Sequence, residues 1–566
     1  MTGVALGVHC SIQPDGRYTA DGNVAVLVNG EPRFAVAQER VTRRKYDGGF
    51  AEAARYTLDR LGLTTGDVDA VAVSTFGRPD RQDDEEQAAV GRTVAAALGT
   101  SAPCHVVASH HLAHAALAAA TATQDRALVA VIDNEGSILG RRQHADLWRH
   151  GLERTSYYVL DEDRLTLVAR DHAGPGEVGY GKAYSKVTRY VGFRSYQQAG
   201  KTMALAAFGE RRRFGSVRLF EADAAGIPRT RLRNSEDGLR DLAEFFRDAG
   251  RPLPPPRGPG EPLDSALVDL AAWCQAELET SVCERVRSLS AEHRVRPLCG
   301  AGGVFLNSVM NRRLQDTLDS DEVFVPPAPG DTGLALGALA WWQWTTTGRR
   351  PRWPASPYLG GEFTADEVRA AARGQDAVVV EQVHDPVVEA VRDLADGQVV
   401  GWFRGRSEHG PRALGNRSIL ARPGPWSREV LNNLVKHREW FRPYAPIVAE
   451  ERAAELFEMR APVPFMMHVA PARPEAISLL PGGVHVDCTA RLQTVSAAQN
   501  PDMHRLVTLF GQATGVPALI NTSLNVDGMP IVEKPADAVE CFLRASGMDV
   551  MMVGPDLKLT RSKAIS

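Results

Sequence analysis

Apolar and polar positions alternate with two different rhythms along this 566-residue chain. Short, nearly unbroken apolar runs at 3–8, 24–28, 70–74, 127–133 and 399–403 have the length of strands covered on both faces. Between them, apolar residues recur three and four apart at 51–61, 182–191, 264–290, 334–342, 386–394 and 535–545, the spacing of helices with one buried face. Strand and helix alternate through most of the chain, which predicts an α/β organisation. Runs 24–28 and 33–37 flank Asn29-Gly30, a strong hairpin signal, and 155–160 with 165–170 predict a second hairpin. A Pro/Gly-rich run at 253–262 reads as an exposed loop. The basic, Pro-rich and aperiodic run at 346–357 reads as a domain boundary.

Composition narrows the class. A chain of this length exceeds one ordinary core, and 44% hydrophobic with 24% charged residues is globular usage. A formal net charge of -4 argues against a nucleic-acid binder. No apolar run reaches the ~18 residues of a membrane span, and no signal-peptide pattern opens the chain. The seven cysteines are scattered without a C-x-x-C pair, which suits reduced thiols in a cytoplasm.

Candidate chemistry begins at Ser109-His110-His111-Leu112-Ala113-His114, between a strand-like run and an Ala-rich one. On a helix, His110 and His114 share a face and His111 does not. Two imidazoles so spaced can hold one metal ion, although unrelated helical histidines fit the motif as well. The run 127–133 ends in Asp133, a position that faces a ligand crevice in many α/β sheets and is an ordinary turn residue in others. Asp331 precedes the helix at 334–342, where an N-cap is its common role. The Gly300-Ala301-Gly302-Gly303 turn lets backbone N–H groups approach a phosphate or ribose. Gly200-Lys201-Thr202 lacks the upstream glycine of a P-loop. The densest polar segment, 404–417, is followed by Lys436, Arg438, Arg442 and Arg491. Gly and Pro surround Arg412, and Trp440, Phe441 and Tyr444 surround Arg442, which suits preorganised binding of phosphate or polyphosphate.

HHLAHA, the strand ending at Asp133, GKTMALAAFG, AGGVFLN, FVPPAPGDTG, GPRALGNRSIL, VKHREWFRPYAP and NTSLN occur in the order seen in one family. Across nearly its whole length the chain resembles the O-carbamoyltransferases of antibiotic biosynthesis. The resemblance implies an actin/hexokinase-like duplicated α/β domain at 1–345, similar to the ATPase-type domain of tRNA threonylcarbamoyl-transfer proteins. It implies a linker at 346–362 and a YrdC-like α+β domain at 363–566, with the last strand a candidate for packing on the first domain. The YrdC-like domain would form carbamoyl adenylate from carbamoyl phosphate and ATP, with Mg(II) a candidate companion of the ATP. The first domain would pass the carbamoyl group to the hydroxyl of a small-molecule acceptor of the antibiotic type.

Carried over residue by residue, the metal ligands are His110, His114, Asp133 and Asp331, with Fe(II) the family's metal and Mn(II) or Zn(II) compatible. Lys45 matches a basic active-site position of the first domain. Lys201, Gly302 and Gly303 match its nucleotide-side loops. Arg412, Arg417, Lys436, Arg442, Arg491, Asn521 and Ser523 match phosphate and adenylate ligands. The family's His before the second strand is absent, the stretch reading Ala20-Asp21-Gly22-Asn23, so Asp21 and His9 become candidate bases. Asp527 stands where the family has Arg. Transfer to nitrogen or sulfur, a sugar-kinase-like phosphotransferase and a non-catalytic scaffold are the rival readings. The kinase has no need of the arginine set, and the complete ligand quartet argues against the scaffold. The hydrogenase-maturation carbamoyl protein is set aside because its Cys pairs are missing. No membrane or nucleic-acid partner is expected, and a homodimer is compatible with the sequence.

Overall fold

The computed structural model describes residues 3–10, 21–75, 79–80, 84–139, 153–172, 177–194, 196–233, 238–320, 322–526 and 528–562. Ala20 and Asp527, two of the positions discussed above, lie outside them.

The first sheet is built on β1 (Val4–Cys10). It pairs antiparallel with β2 (Asn23–Val28) and parallel with β4 (Ala70–Thr75). With β3 (Glu31–Ala37) and β5 (Cys104–Val106) the order is β3-β2-β1-β4-β5. The second sheet repeats it. There β6 (Arg126–Ile132) pairs antiparallel with β7 (Glu153–Asp161) and parallel with β9 (Leu298–Ala301). With β8 (Arg164–His172) and β10 (Val323–Phe324) the order is β8-β7-β6-β9-β10. This duplicated pattern is the actin/hexokinase-like arrangement. The central strands β1, β4 and β6 are buried along nearly their whole length, which is why they read as unbroken apolar runs.

Two helices fill the space beside the strands. The Ala-rich α1 (His110–Thr121) packs on α2 (Leu334–Thr347), which also lies on β1, β2 and β4. Small residues permit this approach. A Cβ on Gly337 would come within 2.2 Å of the Ala113 carbonyl, and one on Gly7 within 2.3 Å of the Ala335 carbonyl. The helix after the Gly302-Gly303 turn begins at Ser308, because Asn307 caps it by accepting the Met310 N–H. A short 3-10 turn precedes it.

A mixed eight-stranded sheet organises the C-terminal part. Its strands are β11 (Val378–Gln382), β12 (Val400–Phe403), β13 (Arg417–Ala421), β14 (Ala445–Ala449), β15 (Gln493–Val495), β16 (Leu519–Ser523), β17 (Val550–Val553) and β18 (Leu557–Arg561). Their order is β11-β18-β17-β12-β13-β16-β14-β15. Successive side chains serve opposite faces: Trp402 enters a core with Ile447, Phe457 and Leu519, and Phe403 one with Ile419, Phe542 and Leu559. The last strand, β18, pairs with β17 and β11.

Contacts divide the chain into two compact units. The first comprises Met1–Pro32, Gly48–Ala54 and Leu63–Ala355, and the second Arg33–Asp47, Arg55–Gly62 and Ser356–Ser566. Two early segments therefore belong to the second unit, and their side chains show why. Arg40 donates to the carbonyls of Glu408 (2.5 Å) and Gly410 (2.6 Å). Arg43 donates to those of Ile531 (2.8 Å) and Pro530 (3.0 Å), and the Tyr56 hydroxyl to Glu533 (2.9 Å). Among the described residues no helix is long and apolar enough to cross a membrane.

Candidate metal centre and candidate anion site

In the first unit, α1 starts where the motif predicts. Ser109 is its N-cap, accepting the Leu112 N–H. One turn of helix places His110 and His114 on a shared face, both fully buried. Asp133 follows the last residue of β6, at the carboxyl end of a central strand. Asp331 opens the 3-10 turn before α2, with Gly330 in the capping position, so its carboxylate is available to the site instead of capping a helix.

The four side chains converge, each offering an atom within 4.8 Å of the others. His110 Nε2 lies 3.3 Å from both Asp133 Oδ2 and Asp331 Oδ1, and His114 Nε2 lies 3.0 and 3.4 Å from the same two atoms. Donors about 2.0–2.2 Å from a shared centre have this kind of separation. Two imidazoles and two carboxylates with these spacings fit a divalent transition metal. The Asp331 side chain is 31% exposed against 9% for Asp133, so the cluster opens on the Asp331 side. Asp133 divides its oxygens. Oδ2 faces the histidines, while Oδ1 accepts the N–H groups of Asn134 (2.7 Å) and Gly303 (3.2 Å). The Gly302-Gly303 turn thus orients a carboxylate. Gly302 has φ +90°, and a Cβ there would meet the Ile132 carbonyl at 2.3 Å.

The charges explain the cohesion of the cluster. Burial opposes a proton on His110, but Asp331 and Asp133 overcome it and push its pKa up to about 10. Burial also works against ionised Asp133, and the hydrogen bonds from both histidines hold it below the usual carboxylate range.

Neighbours that do not ligate hold the cluster. His111 turns away: its Nδ1 is 2.9 Å from Ser156 Oγ, and burial pushes its pKa down to about 4. Glu153, fully buried on β7, accepts from Ser109 Oγ and from the Ser137 N–H, and pairs with Arg170. Ser137 Oγ in turn accepts the His110 N–H. His9 sets its ring edge-on to His110 at 5.8 Å, and burial pushes its pKa down to about 3. Asp21 has a left-handed backbone, φ +57°, and Asn23 donates to its carbonyl. Lys201 lies over the Phe193 ring, 5.6 Å from its centre. Neither Glu153 nor Asn23 belongs to a motif that would have drawn attention to it.

The second unit holds a site of opposite character. Arg412, Arg438, Arg442 and Arg491 are half-buried and repel one another. Burial, then Arg442, pushes Arg412 down to about 10. Burial, then Arg412, Arg438 and Arg442, holds Arg491 well below its usual value. Among the described residues neither the Arg412 nor the Arg491 side chain has a hydrogen-bond or ion-pair partner, and both Nε atoms are buried. Glu439 pairs with Arg442 at 3.7 Å, which leaves Arg412 and Arg491 as the cations able to take up an anion.

Their frame is held by buried hydrogen bonds. One oxygen of buried Glu408 accepts the N–H groups of Leu414 (2.8 Å), Asn416 (2.6 Å) and Arg417 (3.2 Å), which fixes the turn carrying Arg412. Asn521 donates to the Ala413 carbonyl and to Gln493, which donates to the Leu414 carbonyl. Lys436 is buried and donates to Ser523 O (2.7 Å) and Asn525 O (2.8 Å). Burial, then Arg438, lowers its pKa well below the usual lysine range, with Lys45 a further cationic neighbour. Lys45, expected with the first domain, therefore lies in the second unit beside this group.

Arg417 departs from the expected phosphate-ligand role. It is fully buried at the start of β13 and stacked on Phe403, and it donates to the carbonyls of Arg404, Gly405, Asn416 and Gly361. Its Nη donors are taken up by the fold.

Comparison with known proteins covers both parts of the chain. Residues 96–340 match the family model described as carbamoyltransferase N-terminus, and residues 391–558 match the one described as carbamoyltransferase C-terminus. The chain is 32% identical to an uncharacterised protein of Synechocystis, over 95% of this chain and 94% of that one. It is 34% identical to nodulation protein NolO of Bradyrhizobium diazoefficiens, over 81% and 80%. It is 32% identical to the 3'-hydroxymethylcephem-O-carbamoyltransferase of Amycolatopsis lactamdurans, over 70% and 73%.

Proposed function

Because the chain belongs to the carbamoyltransferase family, we propose that it carries out carbamoyl transfer in two steps, one in each unit. In the second unit, water releases phosphate from carbamoyl phosphate. The carbamate oxygen then displaces pyrophosphate from the α-phosphorus of ATP to give carbamoyl adenylate. In the first unit, an acceptor hydroxyl attacks the carbamoyl carbon. The carbamoyl–oxygen bond to AMP breaks, AMP leaves and the hydroxyl proton is lost. The acceptor class is a hydroxylated secondary metabolite, in keeping with the cephem-acting relative.

The observation that carries this reading is the pair of uncompensated guanidiniums, Arg412 and Arg491, grouped with Arg438 and Arg442. Charge accumulates on phosphate oxygens in the first step, and preorganised cations without internal partners are free to meet it. Asn521 and Glu408 hold Arg412 in place, and Lys436 fixes the Ser523–Asn525 loop. Lys45 adds positive charge to the same group. In the first unit, iron(II) on His110, His114, Asp133 and Asp331 would supply positive charge for the adenylate phosphate. The chain itself sets the two imidazoles and two carboxylates around that position, and α1 and β6 hold them still.

The test is pyrophosphate formation from ATP and carbamoyl phosphate with no acceptor present, in the wild type, Arg412→Ala and His114→Ala. The wild type and His114→Ala form pyrophosphate and carbamoyl adenylate, and Arg412→Ala does not. Carbamoyl transfer to an acceptor is lost in both variants. Absence of pyrophosphate formation by the wild type would sink the two-step reading. Its loss in both variants would refute the division of labour.

A further inference from the structure

The ligand quartet is drawn from widely separated parts of the chain, and Asp331 is its most exposed member. Within the Asp331 loop, Leu334 N–H caps back to the Asp331 carbonyl and Gly333 N–H to Gly330, and Gly302 N–H holds the Pro329 carbonyl at 2.7 Å. The long-range hydrogen bond to the Asp331 carbonyl itself comes from Asn23, the first residue of β2. It is fully buried, and its side chain carries three hydrogen bonds. Nδ2 donates to the Asp21 carbonyl at 2.7 Å and to the Asp331 carbonyl at 2.9 Å, while Oδ1 accepts the Ala335 N–H at 2.9 Å.

One amide therefore does three things. It supplies a second donor to the Asp331 carbonyl and so fixes the orientation of that peptide. It satisfies an N–H in the first turn of α2, which would otherwise be an orphan of the helix start. It also ties both to the carbonyl of left-handed Asp21. The register completes the picture. Asn23 stands opposite His9 across β1 and β2, and His9 backs the His110 ring. Neighbouring positions of the first sheet thus brace one imidazole and one carboxylate of the quartet, though neither position is a ligand.

We propose that Asn23 is the positioning residue for Asp331, setting the affinity of the quartet for its divalent metal through the Asp331 carbonyl. The proposal rests on the metal reading of the quartet given above. Removing the amide takes one of two donors from the Asp331 carbonyl and the acceptor from the buried Ala335 N–H, and the loop is then free to swing the carboxylate away from the histidines. Supports of this kind typically change metal affinity by about 10–100-fold when lost.

The experiment titrates metal-free full-length protein with Mn(II) and follows pyrophosphate formation, the second unit's reaction, in the same samples. The variants are Asn23→Ala, Asn23→Ser and Asp331→Ala. Asn23→Ala weakens Mn(II) binding about 10–100-fold, Asn23→Ser less, because a hydroxyl restores one contact. Pyrophosphate formation stays within about twofold in both. Unchanged Mn(II) affinity in Asn23→Ala, with binding abolished in Asp331→Ala, overturns the proposal and leaves the metal reading standing. A parallel fall of pyrophosphate formation in both Asn23 variants also overturns it, since the loss is then one of folding. Unchanged affinity in Asp331→Ala overturns the metal reading and this proposal with it.

Discussion

The two sites of this chain balance charge in opposite ways. In the first unit, two imidazoles and two carboxylates face one another at 3.0–3.4 Å, and each sign answers the other. In the second, Arg412, Arg438, Arg442 and Arg491 face like charges, and two of them have no partner among the described residues. The difference teaches what each site awaits. A balanced quartet is held together by its own charges and offers four donor atoms to a cation. A set of mutually repelling cations stores unfavourable energy that an anion relieves, so binding and charge neutralisation are one event.

The strongest way to break this contrast is to give the cationic site its own counter-charge. Arg491→Glu pairs internally with Arg412 or Arg442. Pyrophosphate formation falls by about three orders of magnitude or more. Thermal stability holds or rises, because a repulsion is removed. A stability loss comparable to a core mutation would mean that Arg491 is structural. A smaller effect sharpens the role of the frame. Glu408→Ala frees three N–H groups of the Arg412 turn and costs about 3 kcal/mol in denaturant titration, and it raises KM for carbamoyl phosphate. Glu408→Gln, keeping the shape and one acceptor oxygen, lies between. The smallest effect concerns protons. Burial, then Arg40, pushes the His409 pKa down to about 3, below an ordinary unfolded value of about 6.5. The unfolded chain then binds more protons than the folded one between these values. Stability therefore falls as pH drops from 6.5 towards 3, by up to about 1.4 kcal/mol per unit for this group. His409→Phe removes that part of the slope in unfolding curves measured at successive pH values.

The quartet is assembled through the family resemblance, while the pattern alone gives the His110/His114 pair and leaves Asp133 open against a turn and Asp331 against an N-cap. His110 and His114 follow helical spacing, Asp133 ends an apolar run, and Asp331 precedes a Gly-flanked helix start. Their supports were not legible. Glu153 is one polar residue at the head of a strand, and its partners Ser109 and Ser137 become visible only when β7 is laid beside β6. Asn23 meets Asp331 across 308 positions of sequence, a pairing that no local pattern records. Arg412 and Arg417 show the limit most sharply. They share one polar run and one composition. Arg417 opens β13 and points into the core, where carbonyls absorb its donors, while Arg412 stays on a turn. The duplicated sheet order is likewise a matter of pairing between strands, which periodicity alone leaves undetermined.

The placement of Arg33–Asp47 and Arg55–Gly62 with the second unit bears on how this chain can be divided. A cut after Ala355 would yield a C-terminal fragment lacking Arg40, Arg43 and Tyr56, with the carbonyls of Glu408 and Pro530 stripped of their arginine donors and Glu533 of its tyrosine. It would also lack Lys45. The second unit is therefore not a module that gene fission, domain swapping or truncation can lift out at one point. Its inheritance is bound to the N-terminal half, and so the two units are kept on one polypeptide.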